Sequence, residues 1–438
     1  MSRRDTALKY ITEQETYLHE RAEKDIERYR KGNCVLKFIE QDGLPVQNVK
    51  CRVTLKKHEF QHGCGMLLLD ELQSEEKNEI FRLRFAELFN LGTIPFYWKD
   101  LEPIQGKPRF VKNSPRVYRR PAPDLCLEYC QQNHIEPKLH CLNYMQFTPD
   151  WVPDDIRQTK ILLEKRFYEI AERYADKIPG IEVINETLLN CTRAFFRAPD
   201  LIEWSFQAAE KYFPNNELII NEAGGIYDNW NRGNRMPYFM LVERALQNGA
   251  RIDTVGIQSH LFFKAEDEAD KVNSLANPEH IYQLLDQLAQ LGKPLQITEI
   301  TIPAYTDCPE DEEIQAELLK TLYTIWFSHP AVKGAIYWNL VDGYAYRAEP
   351  GDMTSGENYY RGTLLRFDMS KKPAYDTLWE LFHKTWHTDV LLVGGQDGMA
   401  TFRGFYGTYD LEITCNGKTV RKEIQLLKNA SSQFQIVI

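Results

Sequence analysis

The chain has 438 residues, of which 43% are apolar and 26% charged, enough for one large core plus a small accessory unit. A net charge of −10 leaves no basic surplus to neutralise phosphates, which argues against a nucleic-acid partner. No run of about 18 apolar residues occurs, so no membrane span is expected, and nine scattered cysteines without a C-x-x-C pair read as reduced thiols.

Met1-Ser2-Arg3-Arg4-Asp5 leads into a polar stretch without the apolar segment of a secretory signal, so the expected location is cytoplasmic. Leu8, Ile11, Leu18, Ala22, Ile26 and Tyr29 recur at helical spacing and predict one amphipathic helix over 5–31, docked on the adjacent domain. Residues 35–39 and 49–55 read as strands flanking the Asp42-Gly43 turn. Two strands alone are marginal. Further strands at 390–393, 399–402, 409–413, 422–426 and 433–437, punctuated by Gly398, Gly407 and Gly417, would complete a β-sandwich with them. The expected organisation is an N-terminal helix and strands over 1–57, a barrel over 58–387, and C-terminal sandwich strands over 388–438.

Between the sandwich segments, short apolar runs alternate with helical stretches, which predicts an α/β fold with a parallel sheet. Strands are expected at 60–69, 91–97, 137–145, 181–186, 218–222, 253–260, 295–300 and 334–339. Helices are expected at 154–178, 199–213, 236–248, 279–291, 312–327 and 374–385. Eight such units make a (β/α)8 TIM barrel; a doubly wound sheet is disfavoured because no G-x-G-x-x-G follows an early strand.

In such a barrel, functional residues gather at the C-terminal ends of the strands. Those ends read Tyr97-Trp98, Asn143-Tyr144-Met145, Asn185-Glu186, Asn221-Glu222, Gln258-Ser259-His260, Thr298-Glu299 and Trp338-Asn339. Glu186 and Glu299, each closing an apolar run, suggest glycoside hydrolysis by paired carboxylates. Glu222 competes for a catalytic role, because it also follows an asparagine at a strand end.

Residues 58–386 resemble the family 10 glycoside hydrolases, the xylanase family. The resemblance rests on Glu182-Val183-Ile184-Asn185-Glu186, Ile257-Gln258-Ser259-His260-Leu261, Ile297-Thr298-Glu299-Ile300, Trp338 through Asp342 and Lys372-Pro373-Ala374-Tyr375. Thr148-Pro149-Asp150-Trp151 and Glu102 through Lys107 add to it. It implies Glu186 as acid/base, Glu299 as nucleophile, Asn185 on the sugar 2-OH, and His260 and Gln258 holding the nucleophile and the sugar. Trp338 would floor the −1 subsite, Glu222 would be a support residue, and Trp151 would join the substrate-binding set.

The departures from the family lie around the glycone. Where a member has Glu-Asn-x-Met-Lys-Trp, this chain has Thr93-Ile94-Pro95-Phe96-Tyr97-Trp98. The family's Trp-His on the third strand becomes Tyr144-Met145, Tyr346 stands for a second tryptophan, and Asn143 offers a new polar contact. The expected partner is therefore an oligosaccharide or small glycoside, cleaved with retention. The alternatives are an endo-1,4-β-xylanase with an altered −2 subsite and an inactive carbohydrate-binding protein.

The remaining motifs take ordinary readings. His58 and His62 lack partners at ligand spacing and are expected near the barrel base, so no metal is implied. Cys126 and Cys130 read as packed or surface thiols, and residues 266–270 as a solvated acidic loop. Asn185-Glu186-Thr187 and Asn190-Cys191-Thr192 match the glycosylation sequon by accident. No cofactor is implied.

Overall fold

In the computed structural model, which describes residues 2–189, 191–223 and 225–438, three helices (Arg3–Ala7, Lys9–Glu13, Glu15–Tyr29) precede β1 (Lys31–Ile39) and β2 (Lys50–His58). Met1, Gly224 and Asn190 of the second sequon lie outside the described residues. The helix expected over 5–31 is broken at Leu8 and Gln14, whose backbones leave the helical region, and Leu8 turns into the core.

The barrel follows as β3 (Gln61–Gly65), β4 (Leu91–Pro95), β5 (Glu136–His140), β6 (Asn143–Tyr144), β7 (Gly180–Asn185), β8 (Glu217–Glu222), β9 (Thr254–His260), β10 (Leu295–Thr301) and β11 (Val332–Tyr337). These strands pair in the order β5-β4-β3-β11-β10-β9-β8-β7-β6, and β5 also pairs with β7, which closes the ring. Strands β4, β7 and β10 are buried along their whole length, as parallel strands covered on both faces must be. All eight expected strands are present, with β5 and β6 sharing the third position, and the fold is a (β/α)8 barrel.

The strand expected at 137–145 is interrupted at residues 141–142. The buried Arg166 donates to the carbonyls of Leu142 (3.0 Å), Cys141 (3.3 Å) and Phe96, drawing those acceptors out of the ladder. The six expected helices form with ends shifted by a few residues: Ile156–Tyr174, Leu201–Tyr212 and Pro237–Gln247 are shorter than expected, Pro278–Ala289 and Pro373–Glu380 start one residue early and stop sooner, and Pro309–Ser328 is longer at both ends. Two more, Glu75–Leu88 and Pro123–Gln132, complete the outer layer on the early strands.

The C-terminal strands are β12 (Asp389–Val393), β13 (Met399–Phe405), β14 (Gly407–Cys415), β15 (Lys418–Leu426) and β16 (Gln433–Val437). They build two small sheets, β13-β1-β16 and β12-β2-β14-β15. Strands β1 and β2 therefore go to opposite sheets instead of pairing across their turn. Alternating burial along β1 and β2 turns their apolar sides inward.

An aromatic layer joins the sandwich to the barrel base. His62 stacks on Phe382 at 3.9 Å, Phe327 stacks on Trp386 at 4.0 Å, and Phe405 of β13 closes on Phe327 at 6.0 Å. His58 and His62 are buried in this layer, where sequence placed them, and burial pushes the His58 imidazole down to about 3. Cys126 and Cys130 are buried core thiols.

The barrel interior carries a polar column. Lys138 pairs with Glu182 inside the ring, and its Nζ donates to Gln296 Oε1 at 3.1 Å. Gln296 in turn donates to Gln61 at 2.6 Å. Among the described residues no helix is long and apolar enough to cross a membrane, and no cluster of three or more His, Cys, Asp or Glu side chains could hold a metal ion.

Candidate active site

Strand alternation would send Asn185 and Glu186 to opposite faces. The chain avoids this at Glu186, whose φ of 54° lies in the left-handed region that non-glycine residues rarely adopt. Both side chains then line one cleft of about 450 Å³ at the C-terminal end of the barrel. The strained turn is held from behind by Glu222. Its Oε2 accepts from Thr187 N (2.7 Å), Thr187 Oγ1 (3.0 Å) and Leu188 N (3.0 Å), and its Oε1 accepts from Ala223 N (2.9 Å). Glu222 is thus occupied by the backbone it supports and does not line the cleft.

A register shift does similar work in β10. Pairing with β9 slips between Ile297 and Glu299, and Thr298 and Glu299 both reach toward Asn221. Glu299 is buried, and each of its oxygens meets a nitrogen: Asn221 Nδ2 at 2.9 Å and His260 Nε2 at 3.1 Å. The Thr301 hydroxyl lies 2.9 Å from His260 Nδ1, so the ring is fixed at both nitrogens. With Nε2–H donating to Glu299, Nδ1 accepts from the threonine.

Glu186 accepts from Gln258 Nε2 at 3.1 Å on one oxygen and from the Tyr144 hydroxyl on the other. Burial raises its pKa above the usual carboxylate range, and the nearby Glu299 adds to the rise. The Tyr144 and Gln258 bonds and His140 oppose it. Asn185 Oδ1 accepts from Asn221 (2.8 Å) and Gln258 (3.3 Å), so a continuous chain Glu186–Gln258–Asn185–Asn221–Glu299 ties the two carboxyl groups across the cleft. Gln258 therefore sits on Glu186, and His260 alone of that pair meets Glu299.

Behind this row, His140 Nε2 lies 3.0 Å from the Tyr97 hydroxyl and 3.9 Å from Glu299, and Nδ1 bonds Glu182. Burial opposes a charge on His140, but the Glu182 carboxylate outweighs it and raises the pKa. Burial would likewise raise Glu182, yet Lys138 and His140 hold it at about 2. Trp338 lies in the cleft, edge-on to His140 and His260 at 5.8 Å each, with its Nε1 donating to Glu357 at 3.2 Å.

Tyr97, Tyr346, Tyr144 and Phe147 form an aromatic wall, with the Arg120 guanidinium 4.0 Å from the Tyr97 ring centre. Two expected contacts point elsewhere. Asn143 precedes Tyr144 on β6 and faces the other way, 3.4 Å from Ser205, because neighbouring strand residues alternate. Trp151 packs edge-on to Trp98 at 5.5 Å and donates to the Glu102 carbonyl at 3.0 Å, outside the cleft lining.

Sequence reasoning did not single out His140, Arg119, Arg120 or Glu357. His140 ends a strand, and that position was its available signal. The two arginines lie in the long loop after β4, and Glu357 in the loop after β11, where no periodicity marks them.

The family model described as glycosyl hydrolase family 10 matches residues 98–381, nearly two thirds of the chain. The chain belongs to glycosyl hydrolase family 10. The match starts at Trp98, just past Thr93–Tyr97, the stretch where this member departs from the family pattern. Endo-1,4-beta-xylanase 1 of Arabidopsis thaliana is 25% identical over 415 residues, covering 94% of this chain and 39% of its own length. Anti-sigma-I factor RsgI6 of Acetivibrio thermocellus is 24% identical over 416 residues, covering 91% of this chain and 47% of its own. The chain thus spans less than half the length of these relatives. Native xylanase 10B from Thermotoga maritima superposes with a TM-score of 0.60 at 19% identity, covering 75% of this chain and 96% of that one, which shows a shared fold.

Proposed function

We propose that this family 10 member is a retaining β-glycosidase of oligosaccharides or small glycosides, with Glu186 as acid/base and Glu299 as nucleophile. The observation that carries the reading is the side-chain chain joining the two carboxyl groups, with different surroundings at its two ends. At one end, burial and a neighbouring carboxylate favour a protonated Glu186. At the other, two N–H groups converge on the oxygens of Glu299.

In the first step Glu299 attacks the anomeric carbon, while Glu186 gives its proton to the departing oxygen. The released carboxylate of Glu186 then takes a proton from water, and the resulting hydroxide equivalent displaces Glu299 with net retention. Asn185 has its Oδ1 occupied, while its NH2 meets no acceptor among the described residues and is placed for a sugar hydroxyl. Trp338 offers an apolar ring face, and Tyr97 and Tyr346 extend it. No metal or cofactor is called on.

The substrate assignment rests on the aromatic wall. Tyr97 stands where the family pattern has a sugar-gripping lysine, and its hydroxyl is already engaged by His140. A site that has lost several such donors changes its specificity as well as its affinity. A second reading, an endo-1,4-β-xylanase with an altered −2 subsite, is favoured by the names of the xylanase relatives. Assays of aryl β-glycosides and oligosaccharides against polymeric xylan, with product anomer read by NMR, separate the two. We expect faster cleavage of the small substrates and a β-anomer as first product. Efficient mid-chain cleavage of xylan would reverse the substrate assignment, and an inverted product would remove the mechanism.

A further inference from the structure

Tyr144 stands where the family pattern has a tryptophan, and its hydroxyl donates to Glu186 Oε2. We propose that this hydroxyl orients the Glu186 carboxyl and favours its charged form, making Tyr144 a positioning residue of the reaction. The inference rests on the proposed role of Glu186 as acid/base.

Three observations support it. First, Tyr144 is fixed. It pairs with Asn185 in the β6–β7 register, one residue before Glu186, and its ring packs against Phe147 at 5.4 Å and Tyr97 at 6.3 Å. The donor and its acceptor are therefore carried by adjacent strand ends. Second, the phenol cannot lose its proton under working conditions. Burial and the neighbouring carboxylate push its pKa far up, so it remains a donor through the whole cycle. Third, the opposite oxygen of Glu186 is taken by Gln258 at 3.1 Å, so the two donors together define the plane of the carboxyl group.

A hydrogen bond to a carboxylate is stronger than the same bond to the neutral acid. The tyrosine thus opposes the upward push from burial and from Glu299. Besides Glu299, the acidic, basic and imidazole groups lining the cleft are His140 on β5, Asp228 after β8, His260 on β9, Lys271 after β9, Glu357 after β11, and Arg119 and Arg120 on the loop after β4. Glu222 holds the backbone that follows. None of the residues just named donates a side-chain hydrogen bond to Glu186. In the first half-reaction the proton passes from Glu186 to the leaving oxygen, and in the second from water to Glu186. The tyrosine proton stays on its oxygen throughout, and its bond tightens as the carboxylate forms.

The test is Tyr144→Phe, which keeps the ring and removes the donor. In protein labelled with 13C at glutamate side-chain carboxyls, Glu186→Gln identifies the Glu186 resonance. Its titration midpoint should rise by about one unit in Tyr144→Phe. An unchanged or lower midpoint overturns the proposal, whatever the substrate proves to be. The same variant is assayed with an alkyl and a dinitrophenyl β-glycoside of one sugar. The alkyl substrate, which needs its leaving group protonated, should lose about tenfold or more in kcat/KM, and the dinitrophenyl substrate much less. The alkaline limb of the alkyl profile should move up with the midpoint. A raised midpoint with equal losses on both substrates would leave the Tyr144–Glu186 coupling standing and overturn the role of Glu186 as acid.

Discussion

Asn221 Nδ2 lies 2.9 Å from Glu299 Oε1, and the same nitrogen reaches Asn185 Oδ1 at 2.8 Å. One amide thus links the end of β10 to the end of β7, and both of its hydrogens are committed. The Thr298 hydroxyl donates to its oxygen, which fixes the amide orientation. Glu299 is held from the side of β8 as well as from His260 on β9.

Removing this amide should cost rate more than fold. Asn221→Ala leaves Glu299 with one donor, His260, and Asn185 Oδ1 with only its longer bond from Gln258. Hydrogen bonds to charged groups contribute about 1.5–3 kcal/mol, so kcat/KM should fall roughly 10- to 100-fold. Steady-state kinetics beside a thermal melt checks this. A melt shifted as strongly as that of a core truncation, with activity per folded molecule intact, would assign Asn221 to the scaffold alone.

Glu299→Gln separates an enzyme from a binding protein. The substitution keeps the shape and removes the nucleophilic anion. Turnover should drop by several orders of magnitude while calorimetric affinity for an oligosaccharide stays close to that of the wild type. Unaltered turnover would remove Glu299 from the chemistry. A wild-type chain that binds sugar but turns over nothing on a glycoside panel would make the site a binding site.

Fold and site differed in how far they could be read from sequence. All eight barrel strands were visible, because strands buried on both faces appear as unbroken apolar runs closed by polar residues. The helix Glu75–Leu88 was not singled out. Its buried Phe81, Phe85 and Leu88 are interleaved with Leu83, which is 61% exposed, and the stripe is blurred. The break after β5 is bonded by Arg166, a residue on the following helix Ile156–Tyr174, and no local pattern announces it. At the site, Glu186, Glu299, Asn185, Gln258, His260 and Trp338 could be found because strand ends define where a barrel works. Asn143 and Trp151 could not be placed correctly: the break before β6 hides which of Asn143 and Tyr144 turns inward, and Trp151 lies beyond the strand end, where its contacts with Trp98 and Glu102 set its direction. The two-sided grip on Glu186 also required coordinates, because Tyr144 and Gln258 lie over a hundred positions apart.

The Lys138–Glu182 pair inside the barrel makes a stability prediction. Lys138→Met leaves Glu182 buried with only His140 as its charged neighbour. Breaking a buried pair by removing one partner costs about 3–5 kcal/mol. Chemical denaturation should show a loss of that order for Lys138→Met. The double variant Lys138→Met/Glu182→Leu should recover part of it, because no charge is then stranded. A single variant as stable as wild type would mean that the interior tolerates the lone carboxylate. Activity provides a second readout, since Glu182 holds His140 against Tyr97 and Glu299.

The histidines at the barrel base should make the protein sensitive to acid. Burial between Phe382, Phe327 and Phe405 lowers His58 from its ordinary value of 6.5 to about 3, with the bond to the Phe382 carbonyl opposing the shift, and burial lowers His62 as well. Between these values the unfolded chain binds protons that the folded chain refuses, so stability rises with pH and falls as pH drops below about 6.5. Each such group contributes up to about 1.4 kcal/mol per pH unit inside the window. Urea titrations at pH 7 and pH 5 measure the slope. His58→Phe keeps an aromatic ring in the layer, gives up the bond to Phe382, and should be less stable at pH 7 but lose less on acidification than the wild type. Equal losses in both proteins would show that His58 takes up its proton in the folded state, and would place the acid response in the carboxylates.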